Sequence, residues 1–191
     1  AGRTAADFIG ASKLQRYAKL TLDFELDRGL DRLISPTVLV NGFSDRWSQV
    51  ALTLADATVE YHASLKDPPP LLLSLVLSEG AFDSKDELDG FLDTITTWDV
   101  DGFYLIVARD EPTYAQQFDE ARLAHLMYLV HVLADRNGFR LVCGYSDFAG
   151  ILLRAAGAAA FATGWSQSGR QFHVQRFLKR PSSGRPSRLR Y

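Results

Sequence analysis

The sequence contains a single cysteine and a single methionine among its 191 residues. One thiol cannot form an internal disulfide and cannot supply a multi-cysteine metal site. Cys143 lies in a mainly apolar stretch, residues 139–143, which is typical of a buried structural thiol. Because this cysteine usage suits a reducing compartment, we expect a cytoplasmic protein.

Long hydrophobic runs and an excess of one charge are also missing. The longest apolar run, residues 71–77, is the size of a strand and far short of the roughly 18 apolar residues of a membrane helix. We therefore expect no membrane association. The formal net charge of −2 gives no overall basic field for nucleic acid. The basic residues within 179–191 leave a local phosphate-contacting arm open, beside the interpretation as a flexible tail.

Motifs for transition metals and for activated nucleophiles are absent. The sequence has neither an HExxH nor a GxSxG segment, and no cysteine–histidine pair suggests a thiol nucleophile. His125 and His131 are six residues apart and would lie on different faces of a helix. We therefore predict no transition-metal site and no organic cofactor.

The sequence does contain a regular alternation between short apolar runs and longer segments with helical periodicity. Continuous apolar runs are typical of strands that are buried on both faces of a parallel sheet. A capping box begins at Ser84, with Glu87 three residues later. The predicted strands are residues 19–25, 37–40, 71–77, 102–108, 139–143 and 158–162. The predicted helices cover about 46–65, 119–136 and 147–156, and another begins after the Ser84 cap and carries its apolar face on Leu88, Phe91, Leu92 and Ile95.

These segments make about six strand–helix units, and each connection is long enough for a right-handed crossover between parallel strands. An open doubly wound sheet and a TIM-like (β/α) barrel are both compatible with them. We favour the barrel because no glycine-rich phosphate fingerprint follows the first strand. A full barrel needs about 250 residues. We therefore expect an incomplete barrel, a piece of one, or further strands within residues 1–18. Residues 1–178 would form one domain, and 179–191 a basic tail or linker.

Acidic residues stand at the predicted carboxyl ends of the strands, where parallel α/β folds bind ligands. Glu79 directly follows the longest apolar run, where desolvation raises a carboxyl pKa and favours a general acid. Asp23 and Glu25 would share one face of the first strand. Together with Glu79 and Asp147 they predict a carboxylate cluster for glycosyl chemistry or, less strongly, for Mg²⁺. The alternatives are solvated acids on the first strand and a helix-capping role for Asp147.

A second group of side chains is predicted to bind the substrate. The loop 162–172 combines small residues with Trp165, which could stack on a sugar or base, and Arg170, which could bind phosphate. The alternative is a structural loop around a buried tryptophan. Further polar or aromatic candidates at strand ends are Asn41, Arg109, Tyr145 and Gln167.

Two functions follow from these patterns. The first is a barrel enzyme in which strand-end carboxylates perform acid/base chemistry, glycosyl-type or hydrolytic, on a sugar-, nucleoside- or phosphate-bearing small molecule. The second is a non-catalytic module that acts in an oligomer, in a larger assembly or beside an additional domain. The idea of a shared site fails if Glu79 lies more than about 10 Å from Asp23, Asp147 and Trp165, since the carboxylate pairs of glycosidases are within roughly 5–9.5 Å of each other.

Overall fold

The computed structural model describes residue 8 and residues 10–110 and 118–176. Its centre is a six-stranded, mostly parallel sheet whose strands alternate with helices, which is a β/α fold. The strands are β1 (Leu33–Ile34), β2 (Leu39–Val40), β3 (Leu71–Ser78), β4 (Gly102–Ala108), β5 (Arg140–Gly144) and β6 (Ala160–Phe161). The sheet order is β1-β3-β4-β5-β6, and β2 also pairs with β3.

The first two strands act as one interrupted strand along the same side of β3. Leu33 stands opposite Leu71, and Val40 stands opposite Leu77. The interruption contains Pro36, which has no N–H to offer to a ladder. Side chains bridge the gap, because the Ser74 backbone N–H donates to the Ser35 Oγ at 2.8 Å and the Ser74 hydroxyl donates to the Ser35 carbonyl at 2.7 Å. Neighbours in the sheet therefore follow the order of the chain.

The described helices are α1 (Ala11–Leu26), α2 (Arg46–Ala63), α3 (Lys85–Ile95), α4 (Glu120–Val130), α5 (Ala149–Ala155) and α6 (Gln167–Arg170). The middle four lie in the connections between strands, whereas α1 precedes β1 and α6 follows β6. Ser84 caps α3 by accepting from the Glu87 N–H at 3.3 Å, as predicted, and Asp45 caps α2 by accepting from the Ser48 N–H at 2.7 Å. Single turns of 3₁₀-helix occupy Glu79–Asp83 and Val174–Arg176, and a π-helix at His131–Arg136 continues α4.

The core forms around the apolar strands β3 and β4. Leu73, Leu77 and Phe103 are fully buried, as their continuous apolar runs predict. None of the helices within the described residues is long and apolar enough to cross a membrane.

The prediction of a strand at residues 19–25 is wrong, because this segment belongs to α1. Its residues alternate between apolar and polar, but they also continue an apolar stripe with helical spacing. Leu14, Ala18 and Leu22 recur every four residues and are buried, the first two against α2. The true first strand, β1, has only two residues and lies outside every predicted strand.

A closed TIM barrel is not confirmed. Within the described ranges the strand pairings form an open path from β1 to β6, and no pairing joins these two ends. What holds is the parallel sheet with sequentially ordered strands. The predicted basic segment 179–191 lies outside the described residues.

Candidate functional site

Buried polar side chains gather where β3, β4 and β5 end. The register places Ser78 opposite Ala108, so the polar residues that follow both strands meet at one edge of the sheet. Proteins rarely bury polar side chains without a partner or a purpose, which makes this grouping informative. We call the group the carboxyl-edge cluster. Its members are Ser78, Glu79, Arg109, Ser146, Asp147, Gln171 and His173.

An ion pair between Glu79 and Arg109 forms the centre of the cluster. The Glu79 Oε2 lies 2.5 Å from the Arg109 Nη1, and the Glu79 Oε1 accepts from the Asp110 backbone N–H at 2.9 Å. The guanidinium also lies over the Phe118 ring, 4.2 Å from its centroid. Burial lowers the pKa of Arg109, and the neighbouring Glu79 charge opposes this effect. One Glu79 oxygen lies against the Arg109 guanidinium and the other accepts from the Asp110 N–H. Both contacts suit an ionised carboxylate, so this geometry favours a positioning or base role over the predicted role of general acid.

The chain returns across the end of β4 after leaving β6. The Arg109 backbone N–H donates to the Phe172 carbonyl at 2.9 Å, and Phe172 forms a parallel bridge with Ala108. His173 lies directly beyond, with its Nδ1 3.1 Å from the Arg109 carbonyl and its Nε2 3.2 Å from the Gln171 side-chain oxygen. This return segment adds two buried polar side chains to the cluster.

The contacts of His173 define its tautomer. A carbonyl only accepts, so the Nδ1 must donate to Arg109. Burial lowers the pKa of His173 and favours the neutral ring, which leaves the Nε2 as an acceptor. A neutral ring with this tautomer requires the Gln171 amide group to present its nitrogen to the Nε2 in place of the oxygen that lies 3.2 Å away.

The turn after β5 has strained backbone. Tyr145 and Asp147 have φ angles of 54° and 44°, in the left-handed region that residues with a Cβ rarely occupy. Such strain costs on the order of 1–3 kcal/mol per residue and is concentrated at functional sites. Between them, the Ser146 N–H donates to the Ala162 carbonyl at 3.0 Å and joins the ends of β5 and β6. The N-cap position of α5 is Phe148, directly after Asp147.

A small cavity lies beneath this turn. Its volume of about 10 Å³ is close to the minimum for one water molecule, and Tyr145, Ser146 and Cys143 are among its lining residues. Cys143 is buried as predicted, and burial raises the pKa of its thiol to about 12. The thiol is therefore protonated at neutral pH and is a poor nucleophile.

Asp23 does not stand at a strand end, because it belongs to α1. Its Oδ1 accepts from the Tyr61 hydroxyl at 2.5 Å, and its Oδ2 lies 3.2 Å from the Lys19 ammonium. The hydrogen bond from Tyr61 is the main reason that the pKa of Asp23 is lowered. Asp23 therefore belongs to a surface network between α1 and α2.

Glu25 lies at the opposite end of the sheet from Glu79. Its Oε2 accepts from the Ile34 backbone N–H at 2.7 Å, and burial raises its pKa. Ile34 stands opposite Leu72, and the seven residues from there to Glu79 span about 23 Å of strand. The predicted cluster of four carboxylates is thus not assembled. The described part of the chain contains no group of three or more His, Cys, Asp or Glu side chains that could hold a metal ion.

The predicted substrate contacts are only partly brought to the cluster. Asn41 is exposed and follows β2, whose last residue stands beside the end of β3. Arg170 is half-buried in α6, but Trp165 is fully exposed, so the alternative of a buried tryptophan is wrong. Gly164 and Gly169 pack backbone to backbone and fold the loop between them. The side chain of Gln167 lies outside what the structure describes.

Sequence reasoning identified three members of the cluster and missed others. Glu79, Arg109 and Asp147 follow predicted strands, whereas Gln171 and His173 follow no strand and reach the site only through the return segment. The chemistry of the cluster must carry the functional argument, since a fold alone does not specify a reaction. No protein-family model, curated protein or solved structure matches this chain.

Proposed function

We propose that the chain is an enzyme that performs acid/base chemistry, hydrolytic or glycosyl-type, at the carboxyl edge of its sheet. The substrate would be a small molecule that bears a sugar, nucleoside or phosphate group. The observation that carries the proposal is the carboxyl-edge cluster, which places buried polar groups where parallel sheets bind ligands. The left-handed backbone at Tyr145 and Asp147 adds stored strain at the same edge.

Asp147 is the proposed proton-transferring residue. It is a buried carboxylate in the turn between β5 and α5, and its backbone is in the left-handed region. Glu79, held by Arg109 and the Asp110 N–H, is the proposed partner carboxylate and positions charge opposite it. His173, whose Nδ1 donates to the Arg109 carbonyl, is the third polar side chain of the proposed site.

Glu79 and Asp147 follow strands that are two positions apart in the sheet, which corresponds to about 10 Å between their backbones. The proposal requires their carboxyl groups to lie within the roughly 5–5.5 Å of retaining glycosidases or the roughly 6.5–9.5 Å of inverting ones.

The proposal includes the barrel architecture. Sequential strand order with a helix in each crossover is the arrangement of (β/α) barrels and supports a barrel-like domain. In that arrangement Asn41 and Arg170 would contact the substrate from the loops after the neighbouring strands. Mg²⁺ has no place in the proposal, because Asp23 and Glu25 do not join the cluster.

The test is hydrolysis of 4-nitrophenyl glycosides and 4-nitrophenyl phosphate by the wild type and by Asp147→Asn. Asn retains the shape of Asp and tolerates the left-handed backbone, so the change removes only proton transfer. We expect kcat/KM to fall by about 100-fold or more. Asp99→Asn is the matched control, since Asp99 is exposed and precedes β4 at the other end of the sheet. Equal rates for wild type and Asp147→Asn would refute the assignment.

A non-catalytic module remains the second candidate, and one observation favours it. The outer surface of α5 exposes large apolar side chains, as interaction surfaces do. The absence of hydrolysis with every probe, together with binding of a protein through that surface, would support this second function.

A further inference from the structure

A groove lies between α3 and the π-helix that continues α4, and we call it the α3–α4 groove. Its volume is about 440 Å³, within the roughly 300–1,000 Å³ of small-molecule sites. None of its lining residues belongs to the carboxyl-edge cluster, so it is a separate feature of the molecule. The residues that supply polar groups to it are Asp89, Asp93, Thr96, Tyr128, Arg136 and Asn137.

The π-helix forms one wall of this groove. Val132 and Arg136 belong to it, and both line the groove. The end of this wall is fixed, because the backbone N–H and the side-chain amide of Asn137 both donate to the Val132 carbonyl, at 3.1 and 2.7 Å. π-Helical turns within α-helices are rare and occur frequently at functional sites. The backbone of the wall therefore points to the groove as a binding site.

The two walls carry opposite charges. Asp89 and Asp93 are one turn apart on α3, whereas Arg136 belongs to the π-helix. The side chains of Asp93 and Arg136 are exposed, and neither makes a hydrogen bond or an ion pair within the described part of the chain. Charges of both signs in one groove are complementary to a ligand that itself carries an ammonium group and an anionic group.

Asp89 can accept a further hydrogen bond from such a ligand. Its Oδ2 accepts from the Lys85 ammonium, and this hydrogen bond is the main reason that the pKa of Asp89 is lowered. The carboxylate is therefore ionised at neutral pH. Its Oδ1 is shielded from solvent and makes no hydrogen bond within the described ranges. Because shielded carboxylate oxygens normally accept a hydrogen bond, the Oδ1 is suited to an ammonium group in the groove.

The spacing of the charges sets the length of the ligand. α3 and α4 run in the same direction, because each connects two parallel strands. Lys85 contacts both Asp89 and the Tyr128 ring, 4.6 Å from its centroid, so Asp89 and Tyr128 lie at the same end of the groove. At 1.5 Å per residue, Arg136 lies about 12 Å beyond Tyr128, and Asp93 lies about 6 Å beyond Asp89. The carboxylates and the guanidinium are therefore about 6–12 Å apart along the groove.

We propose that the α3–α4 groove binds an elongated zwitterion, a small molecule whose ammonium and carboxylate groups are about 6–12 Å apart. The ammonium would contact Asp89 and Asp93, and the carboxylate would form a bidentate pair with Arg136. An α-amino acid with both charges on one carbon is too short. A peptide of two or three residues spans about 7–11 Å and has the required length, as do ω-amino acids.

The test is an amide chemical-shift titration of the full chain at low ionic strength, because salt screens exposed charges. The probes of the required length are 6-aminohexanoate and triglycine, and a difference between them distinguishes an ω-amino acid from a peptide. A ligand of this size predicts a dissociation constant on the order of 1 mM and saturable shifts at Asp93, Thr96 and Asn137. Glycine is too short, and hexanoate and hexylamine each carry one charge, so all three should bind about 5-fold more weakly or worse.

Two exposed variants separate the halves of the ligand. Arg136→Gln should weaken 6-aminohexanoate about 5-fold without weakening hexylamine, whereas Asp93→Asn should weaken both. Arg16→Gln is the matched control, because Arg16 is exposed on α1 and lines a different groove, so this variant should bind as the wild type does. The absence of saturable shifts in the groove at about 50 mM, some fifty times the expected dissociation constant, would overturn the proposal. Binding of glycine or hexylamine as tight as that of 6-aminohexanoate would also overturn it.

Discussion

Replacing Glu79 with Gln removes a buried countercharge of Arg109 while preserving the shape of the side chain. The side chains of Glu79 and Arg109 are only 10% and 5% exposed, so the guanidinium would lose the carboxylate of a desolvated ion pair. Breaking a buried pair on one side costs about 3–5 kcal/mol, because the remaining charge is uncompensated. The Gln amide oxygen can still accept from the Asp110 N–H, so we expect about 3 kcal/mol less unfolding free energy. That is a large part of the roughly 5–15 kcal/mol of a typical domain.

The double variant Glu79→Gln with Arg109→Met separates charge from packing. Removing both partners leaves no buried charge, and Met can fill the space beside Phe118, so the double variant should cost about 1 kcal/mol or less. Urea unfolding followed by circular dichroism gives the free energies of the wild type, Glu79→Gln, Arg109→Met and the double variant by linear extrapolation. A cost under about 1 kcal/mol for Glu79→Gln, or single costs that add within about 0.5 kcal/mol, would mean that the pair is not desolvated.

Three further predictions concern the core and the return segment. Burial raises the pKa of the Cys143 thiol to about 12 from a usual 9.0. At pH 8, iodoacetamide should therefore modify the native thiol about 1,000-fold more slowly than the thiol of the urea-unfolded chain. Equal rates would contradict the burial of Cys143. Burial lowers the pKa of His173, so its contribution to stability is complete above about pH 6.5 and is lost as the pH falls from there toward its folded pKa. The wild type should therefore lose more stability between pH 7 and 5 than His173→Gln does in urea titrations, and parallel curves would contradict this. Gly102→Ala should lower the unfolding free energy by about 2 kcal/mol or more, because its Cβ would lie 1.9 Å from the Arg140 carbonyl oxygen. Gly90→Ala, with nothing within 4 Å, should raise it by about 0.5–1 kcal/mol, and equal effects would refute the packing argument.

The fold was predictable where one physical signal dominated. β3 and β4 are long apolar runs that can only be buried, and Asp45 and Ser84 mark the starts of their helices by side-chain caps. The segment 19–25 carried two signals, an alternation and a helical stripe. Packing of that stripe against α2 decided between them, and such a contact is not visible in local sequence.

Only those site residues whose positions follow from the order of the strands were predictable. Glu79 and Arg109 stand directly after β3 and β4, and Asp147 lies in the turn that follows β5, so their positions follow from the parallel sheet. His173 is 64 residues from Arg109 and meets it because the chain folds back over β4. No periodicity in the sequence indicates that return. The sequence also does not indicate that Glu79 and Arg109 form an ion pair with each other.

Binding of a substrate at the carboxyl-edge cluster can be measured directly. Ribose 5-phosphate carries both a sugar and a phosphate, and its binding to the full chain can be followed by an amide chemical-shift titration. We expect saturable shifts at the amides of Gly80, Asp110 and Ser146, with none at Leu71 on the opposite end of the sheet, and weaker binding by Asp147→Asn. The absence of shifts at about 10 mM ligand, roughly a hundred times a typical KM, would contradict substrate binding at the cluster. Shifts that cluster around Leu71 would also contradict it.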